Sequence, residues 1–387
     1  MFFSIAQQFK NNYPCHHRLG NFFINTDSGW SYCDVGHWSV IFKGYVEDNF
    51  LEQALEQIVE QNQPTLLGNF CVLSYNNITD KLKIQTDQYR SFPIYKHHQE
   101  ITNLNSGPTT YWADSLVEIN QDFSVTETKF DVIGEIVDSE LTADQVLDAV
   151  NSRLDQRVKS FLQHNKLPIR AFLSGGVDSL LVYSFLQKHT NHYEMVKSDH
   201  IDYDYFWAHN QGTLQSRWAY RQIHHWIEPC ILSSGAPGDE FTLRSPVTSH
   251  IYLNHHGLDS QQELQRRPNC LHNYYFGLEK HHKIFSETDI PQFLTKQQLI
   301  HYVCNVVVND WQHWHLGNTL TWTPLRDIEI YKLILRLPLE DAVEQIFNSK
   351  LSQMIIEKNF PGGTKLISDQ KNNLAPMKNL IKFLDLS

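Results

Sequence analysis

The chain contains no run of about 18 or more apolar residues, so no membrane-spanning helix is expected. Its opening residues, Met1-Phe2-Phe3-Ser4-Ile5-Ala6, carry neither a basic stretch nor a long apolar one, which argues against a secretion signal. None of the six cysteines (Cys15, Cys33, Cys71, Cys230, Cys270 and Cys304) forms a C-x-x-C pair. Scattered cysteines in a long chain read as reduced thiols in a cytoplasmic protein. No H-E-x-x-H occurs, and many of the 21 histidines fall in doublets such as His97-His98 and His224-His225. Adjacent side chains point apart, so a doublet is a weak metal signal. Basic charge is in short supply: 32 Lys and Arg stand against 43 Asp and Glu, for a net charge of −11. That balance gives no support to a nucleic-acid-binding face. No G-x-x-x-x-G-K-[ST] occurs, so the nucleotide loop of the Walker type is excluded.

What is present is a globular composition, 41% hydrophobic and 19% charged, which suits a packed core. A length of 387 residues fits two domains at about 100–200 residues each. The first third reads as strands and turns. Leu67 to Tyr75 is rich in β-formers, residues 76–80 make a turn, and Lys81 to Thr86 alternates polar and apolar, together predicting an antiparallel hairpin. The character then changes. Thr142 with Gln145 forms a capping box, and Val146, Leu147, Val150, Leu154, Val158, Phe161 and Leu162 recur at helical spacing, predicting a helix over about 143–163. A short apolar strand over 169–173, a loop over 174–179 and a second helix follow. Helix, strand, loop, helix is the rhythm of an α/β domain with a parallel sheet. Further helical periodicity runs near 292–308 and 326–358.

The loop Ser174-Gly175-Gly176-Val177-Asp178-Ser179 carries chemistry in its residue types. Gly175 and Gly176 let the backbone turn tightly and expose its N–H groups, which form an anion-binding concavity. The following helix adds its positive end, and Ser174 and Ser179 bring hydroxyls. Asp178 fits an anion site only where a cation lies between, as Mg²⁺ does when it takes one or two carboxylates plus phosphate oxygens. The residues therefore suggest a magnesium polyphosphate cradle at the carboxyl end of a strand. The alternative is a plain strand-to-helix turn.

The hexapeptide resembles the S-G-G-x-D-S loop of the ATP pyrophosphatase (PP-loop) superfamily, whose members cleave ATP between the α- and β-phosphates. Ile231 to Glu240 (Ile-Leu-Ser-Ser-Gly-Ala-Pro-Gly-Asp-Glu) resembles the L-S-G-x-G-x-D-E segment of asparagine synthetases. Thr321 to Asp327 resembles their R-x-P-F-L-D segment, with Leu335-Arg336-Leu337-Pro338 after it. Asp369-Gln370-Lys371-Asn372-Asn373 resembles their R-x-K segment. Gly68-Asn69-Phe70 and Asp87 to Tyr95 resemble the G-x-F and D-R-x-G-x-x-P-L-Y segments of their glutamine amidotransferase domain. The resemblance implies an α+β amidotransferase-like domain over residues 1–130 and an α/β parallel-sheet ATP pyrophosphatase domain over 131–387. It implies an ATP-dependent amide ligase: a carboxylate is adenylated, pyrophosphate leaves, and ammonia or an amine displaces AMP. Ser174, Gly175, Gly176, Val177, Asp178, Ser179, Ser234 and Gly235 would bind ATP and pyrophosphate, Asp178 and Asp239 would hold Mg²⁺, and Lys371, with Asp178, would serve the reacting centre. Each has an ordinary reading beside it: Asp239-Glu240 as a solvated turn, Lys371 as a surface lysine, Arg326-Asp327 as a helix brace, Asp87 and Pro93 as turn residues.

Departures from the family bear on substrate. Phe2 stands where the amidotransferase cysteine would be, and a thiol nucleophile cannot be built from it; the first cysteine is Cys15, which only upstream processing would make terminal. The family's R-G-P-D segment is not visible, the segment between Ser174 and Ser234 is short, and Pro237 and Gly238 break the pattern. The implied first domain is vestigial, so the nitrogen is free ammonia, an amine as in β-lactam synthetases and lasso-peptide cyclases, or ammonia from a partner protein. An RNA-modifying relative, a decayed nucleotide-binding scaffold and a homo-oligomer all stay open; no nucleic acid and no membrane are expected as partners. The expected outcome with glutamine is no glutamate above background, checked by a glutamate-release assay; steady hydrolysis at about 1 s⁻¹ or faster would contradict a vestigial domain.

Overall fold

The computed structural model describes residues 3–11, 13–61, 66–89, 91–92, 94–103, 109–111, 115–171, 173, 176–195, 229–235, 238, 256, 296–297, 300, 319–342 and 349–367. The first half is antiparallel. β1 (Phe3–Ala6), β2 (Cys15–Leu19), β3 (Phe22–Thr26), β8 (Ile94–His97), β9 (Glu100–Thr102) and β10 (Thr109–Tyr111) form one six-stranded sheet in the order β10-β8-β9-β1-β3-β2. β4 (Ser31–Val35), β5 (Trp38–Val46), β6 (Gly68–Asn76), β7 (Lys81–Thr86), β11 (Ser115–Ile119) and β12 (Val125–Lys129) form a second in the order β12-β11-β7-β6-β5-β4. Alternation along the strands sorts the side chains between two faces. Ile41, Tyr45, Cys71 and Leu73 join Phe3, Ile5, Phe22 and Ile24 in one core. Val40, Phe42, Phe70 and Val72 pack instead under α1 (Leu51–Gln61), against Leu51, Leu55 and Ile58. The hairpin expected from residues 67–86 is β6 and β7, paired from Cys71↔Thr86 to Asn76↔Lys81. Its turn is held by the Asn76 side chain, whose Oδ1 accepts from Ile78 N at 2.9 Å and Thr79 N at 3.0 Å, the local competition with regular structure that favours Asn there.

The second half alternates. α2 (Ala143–His164) starts at the expected capping box: Thr142 Oγ1 accepts from Gln145 N at 3.3 Å, and Gln145 Oε1 accepts from Thr142 N at 3.0 Å. Its apolar stripe, Val146, Val150, Leu154, Val158 and Phe161, is buried, at about 1.5–3 kcal/mol per side chain of that size. Next come β13 (Ile169–Ala171), α3 (Val177–His189), β14 (Glu194–Met195), β15 (Cys230–Ser233), β16 (Thr319–Trp322), α4 (Ile328–Ile334) and α5 (Lys350–Asn359). α3 buries residues all round its first three turns, including Val177, Leu180, Leu181, Val182, Phe185 and Leu186, as a helix apolar on every side does. The four strands are parallel in the order β14-β13-β15-β16. The strand expected over 169–173 ends at Ala171, and the helix expected after Ser179 begins at Val177. Asp178 in its first turn offsets the positive end of the helix dipole, and the helix starts three residues earlier than a loop over 174–179 allows. Of the periodicity near 292–308, all but residues 296, 297 and 300 lies outside the described residues.

Charged residues tie the antiparallel half to the parallel one. Arg157 on α2 makes a fork with Glu47, Nε to Oε2 at 2.8 Å and Nη2 to Oε1 at 2.5 Å. Its Nη1 donates to Pro324 O at 2.5 Å and Arg326 O at 3.1 Å and lies 3.3 Å from Asp327 Oδ2. Arg153 Nε donates to the same Asp327 oxygen at 2.7 Å. Asp327 also caps α4, its Oδ1 accepting from Glu329 N at 2.9 Å. Arg326 reaches back to Ser91 Oγ at 2.9 Å and Tyr89 O at 2.7 Å, and Asp87 Oδ1 gathers Tyr89 N and Ser91 Oγ. Arg326, Asp327 and Asp87 are thus bracing residues here. Burial alone would raise the Asp327 carboxyl, but Arg157 and Arg153 outweigh it and hold it below the ordinary aspartate value. A carboxyl depressed in the folded state adds stability that is complete above its unfolded value, about pH 3.9, and is lost as pH falls through the folded one. Asp327→Asn keeps a capping oxygen and removes the charge. Urea unfolding should find it less stable than the parent at pH 7, with the gap closing as pH drops below about 4; a gap unchanged at low pH would remove the ionic account.

Candidate functional site

The parallel sheet fixes where a ligand can sit. The chain leaves β13, passes through α3 and returns as β14 on one side of β13, whereas β15 pairs on the other side. The order reverses between β13 and β15, and in open α/β sheets the crevice at the carboxyl ends of such a strand pair is where ligands bind. Two segments leave the sheet at that point: the one from Ala171 to α3, and the one after Ser233.

They touch. A side-chain carbon added at Gly235 would fall on Ser179 N and the Asp178 carbonyl carbon and lie 2.6 Å from Ser179 Cα. Those are backbone atoms of α3, so the chain after β15 lies directly on the first turn of the helix and only glycine fits. A carbon added at Gly238 would lie 2.7 Å from Asp178 Cγ and 2.7 Å from Leu325 Cδ1. Gly238 N donates to Gly235 O at 2.8 Å, closing a tight turn. Ser234 N donates to Trp322 O at 3.0 Å, tying the same segment to the end of β16. Helix α3 is preceded by Gly176 at its N-cap, whose φ of −79° and ψ of 157° are extended, with no side-chain cap. The arrangement offers a positive helix end, a half-buried Asp178 carboxylate beside it, and glycine backbone close on two sides.

Gly176, Val177, Asp178, Ser179, Ser234 and Gly235 are thus brought together. Ser179 is buried and its Oγ donates to Gly176 O at 3.0 Å, so its hydroxyl here serves the start of the helix. Ser234 is buried too. Ser174, Gly175, Asp239 and Lys371 lie outside the described residues. Gly238 and Leu325 are site residues that the sequence reading did not single out; Gly238 counted only as a break in a family pattern. Among the described residues, no three His, Cys, Asp or Glu side chains gather as a metal centre, and no helix is long and apolar enough to cross a membrane. Cys15 pairs with Thr26 inside the first sheet, and β1, which precedes it, pairs with both β3 and β9 and buries Phe3 and Ile5 completely. Making Cys15 terminal would remove a central strand.

No family model matches the chain, and no curated protein matches it. Among solved structures, glutamine phosphoribosylpyrophosphate amidotransferase from B. subtilis, complexed with ADP and GMP, is a weak neighbour: 9% identity, TM-score 0.22, covering 63% of this chain and 70% of that one. A likeness of that size shows neither a shared fold nor a shared activity.

Gly235→Ala tests the contact between the two segments. The new methyl meets helix backbone rather than a flexible side chain, so the variant should lose about 1–3 kcal/mol, the usual cost of overpacking. Urea denaturation measures it, and an unchanged midpoint would mean that the turn does not lie on α3.

Proposed function

We propose that this protein is an ATP-dependent amide ligase of the asparagine synthetase type, with an amidotransferase-like domain over residues 1–130 and a PP-loop domain over 131–387. It adenylates a small-molecule carboxylate, releases pyrophosphate, and passes the acyl group to ammonia or an amine. The observation that carries the reading is the meeting of Asp178 with Gly235 and Gly238 at the point where the parallel strand order reverses. Two segments far apart in sequence, each resembling a pyrophosphate-binding segment, come together where such a ligand would bind.

The residues present suit a magnesium polyphosphate. Gly235 and Gly238 keep side chains out of the space beside α3, and the helix start favours an anion. Asp178 would be one carboxylate ligand and Asp239, next after Gly238, the second; one or two carboxylates with phosphate oxygens suffice for Mg²⁺. When bound, the metal supplies charge stabilisation at the departing pyrophosphate. The chain's own part is to bind and orient: backbone N–H groups at Ser174 to Ser179 would hold the pyrophosphate, with Ser234 and Gly235 closing the other side. Lys371 would meet negative charge that develops on the transferring groups.

Turnover with MgATP, ammonia and a panel of carboxylic acids should yield AMP and pyrophosphate in equal amounts, measured by nucleotide chromatography and a pyrophosphate assay. Asp178→Asn keeps the shape and removes the charge facing the metal, so it should weaken MgATP binding and nearly abolish pyrophosphate release. ADP and phosphate as the main products would eliminate adenylation, and no nucleotide turnover with any acid would leave the scaffold reading.

A further inference from the structure

We infer that Glu47, on the antiparallel half, is a positioning residue for the Asp178–Gly235–Gly238 site on the parallel half, acting through Arg157 and Leu325. Only the activity arm of its test rests on the function proposed above.

The chain of contacts is short. Glu47 follows β5, and its backbone is fixed on both sides: its N–H donates to Leu67 O at 2.9 Å, and its carbonyl accepts from Ser160 Oγ at 3.1 Å. Both its carboxylate oxygens are taken by Arg157. A planar guanidinium gripped through two nitrogens has a fixed orientation, which a single contact would not give. That orientation aims the third nitrogen at the carbonyls of Pro324 and Arg326. Leu325 lies between those two residues: the peptide plane before it is held through the Pro324 carbonyl, and the plane after it by Asp327 N, which donates to Leu325 O at 2.9 Å. Its side chain is buried, and its Cδ1 and the Asp178 carboxyl carbon crowd the same face of Gly238. Leu325 therefore backs the glycine turn against the carboxylate.

Arg157 also faces Asp327 at 3.3 Å, which decides what happens when Glu47 loses its charge. The guanidinium would then answer to Asp327 alone and tilt toward it, drawing Nη1 off the carbonyls and releasing Leu325. Asp327 has Arg153 as a second partner, so α4 and its cap stay in place. The consequence falls on the turn at 235–238 and on Asp178. A displacement of about 1 Å in a positioned group costs about 10²-fold in rate.

The test compares the full-length protein with Glu47→Gln by amide hydrogen exchange and by pyrophosphate release. Exchange in peptides covering 176–180 and 323–327 should rise about tenfold or more, while the β6–β7 hairpin stays at the parent rate, as a local rather than global loosening requires. Pyrophosphate release should fall about 10²-fold in kcat, with KM for ATP within about threefold, the pattern of lost positioning rather than lost binding. Faster exchange at 323–327 with 176–180 unchanged would overturn the proposal, because Glu47 would then brace only its own junction. So would no change at either. Should Glu47→Gln fail to fold, Leu325→Ala leaves the ionic contacts intact and removes the wedge; it should loosen 176–180 equally, and parent-like exchange there would overturn the proposal. If the parent releases no pyrophosphate at all, the proposed function falls and the exchange comparison still decides the role of Glu47.

Discussion

Arg157 sits at 4% exposure between Glu47 at 2% and Asp327 at 1%, and the arrangement of both halves of the protein follows from keeping that guanidinium satisfied. Taking a charge out of water costs several kcal/mol unless partners and hydrogen bonds make good the loss. Two carboxylates and one guanidinium would still leave an uncompensated negative charge. Arg153, partly exposed, completes the set by binding at 2.7 Å the same Asp327 oxygen that Arg157 faces. The two carboxylates then diverge. Burial dominates at Glu47 and pushes its carboxyl up despite Arg157, whereas the two arginines hold Asp327 down. Such a set adds little net stability compared with apolar residues of the same shape, but it is unforgiving of misplacement, because any shift between β5, α2 and the segment after β16 strands a buried charge. Its contribution is to fix one relative placement of three elements.

A second constraint acts on the same elements from the sheet side. β16 ends the described parallel sheet, and an edge strand carries backbone groups that would otherwise be open to another chain. Here Tyr45 Oη and Asn69 Nδ2 each donate to Thr321 O at 2.9 Å, so side chains from β5 and β6 cap the edge. Trp322, fully buried, stacks on Phe161 of α2 with ring centroids 4.1 Å apart and planes 9° apart. The edge is therefore held by hydrogen bonds from one half and an aromatic stack from α2. Ser234 N donates its hydrogen bond to the Trp322 carbonyl, so the placement of β16 passes directly to the segment that lies on α3.

How much of this the sequence discloses depends on the range of each interaction. The start of α2 was legible because a capping box is four residues of local chemistry, and the β6–β7 hairpin because an Asn-led turn between alternating runs is equally local. The start of α3 was misplaced, since glycines that permit a loop do not forbid a helix from beginning at once with an acid in its first turn. The Glu47–Arg157 fork joins residues 110 apart, and nothing in either residue's neighbourhood in the sequence names its partner. Gly238 is the instructive miss. Read against a pattern it is a deviation; in the fold it is the position where any side chain would strike Asp178 and Leu325. Ser174, Gly175, Asp239 and Lys371 rest on sequence resemblance.

These constraints together bear on why the antiparallel half is kept. Two parts of it act on the parallel half: side chains of β5 and β6 cap β16, and the acid that follows β5 grips the arginine that holds the carbonyls of Pro324 and Arg326. Both duties depend on β5 and β6 being rigid, and those strands are pinned by packing on both faces, toward the partner sheet on one side and α1 on the other. Rigidity of that kind is a property of the core. The antiparallel sheets thus keep their core under constraint for as long as the parallel half needs a wall.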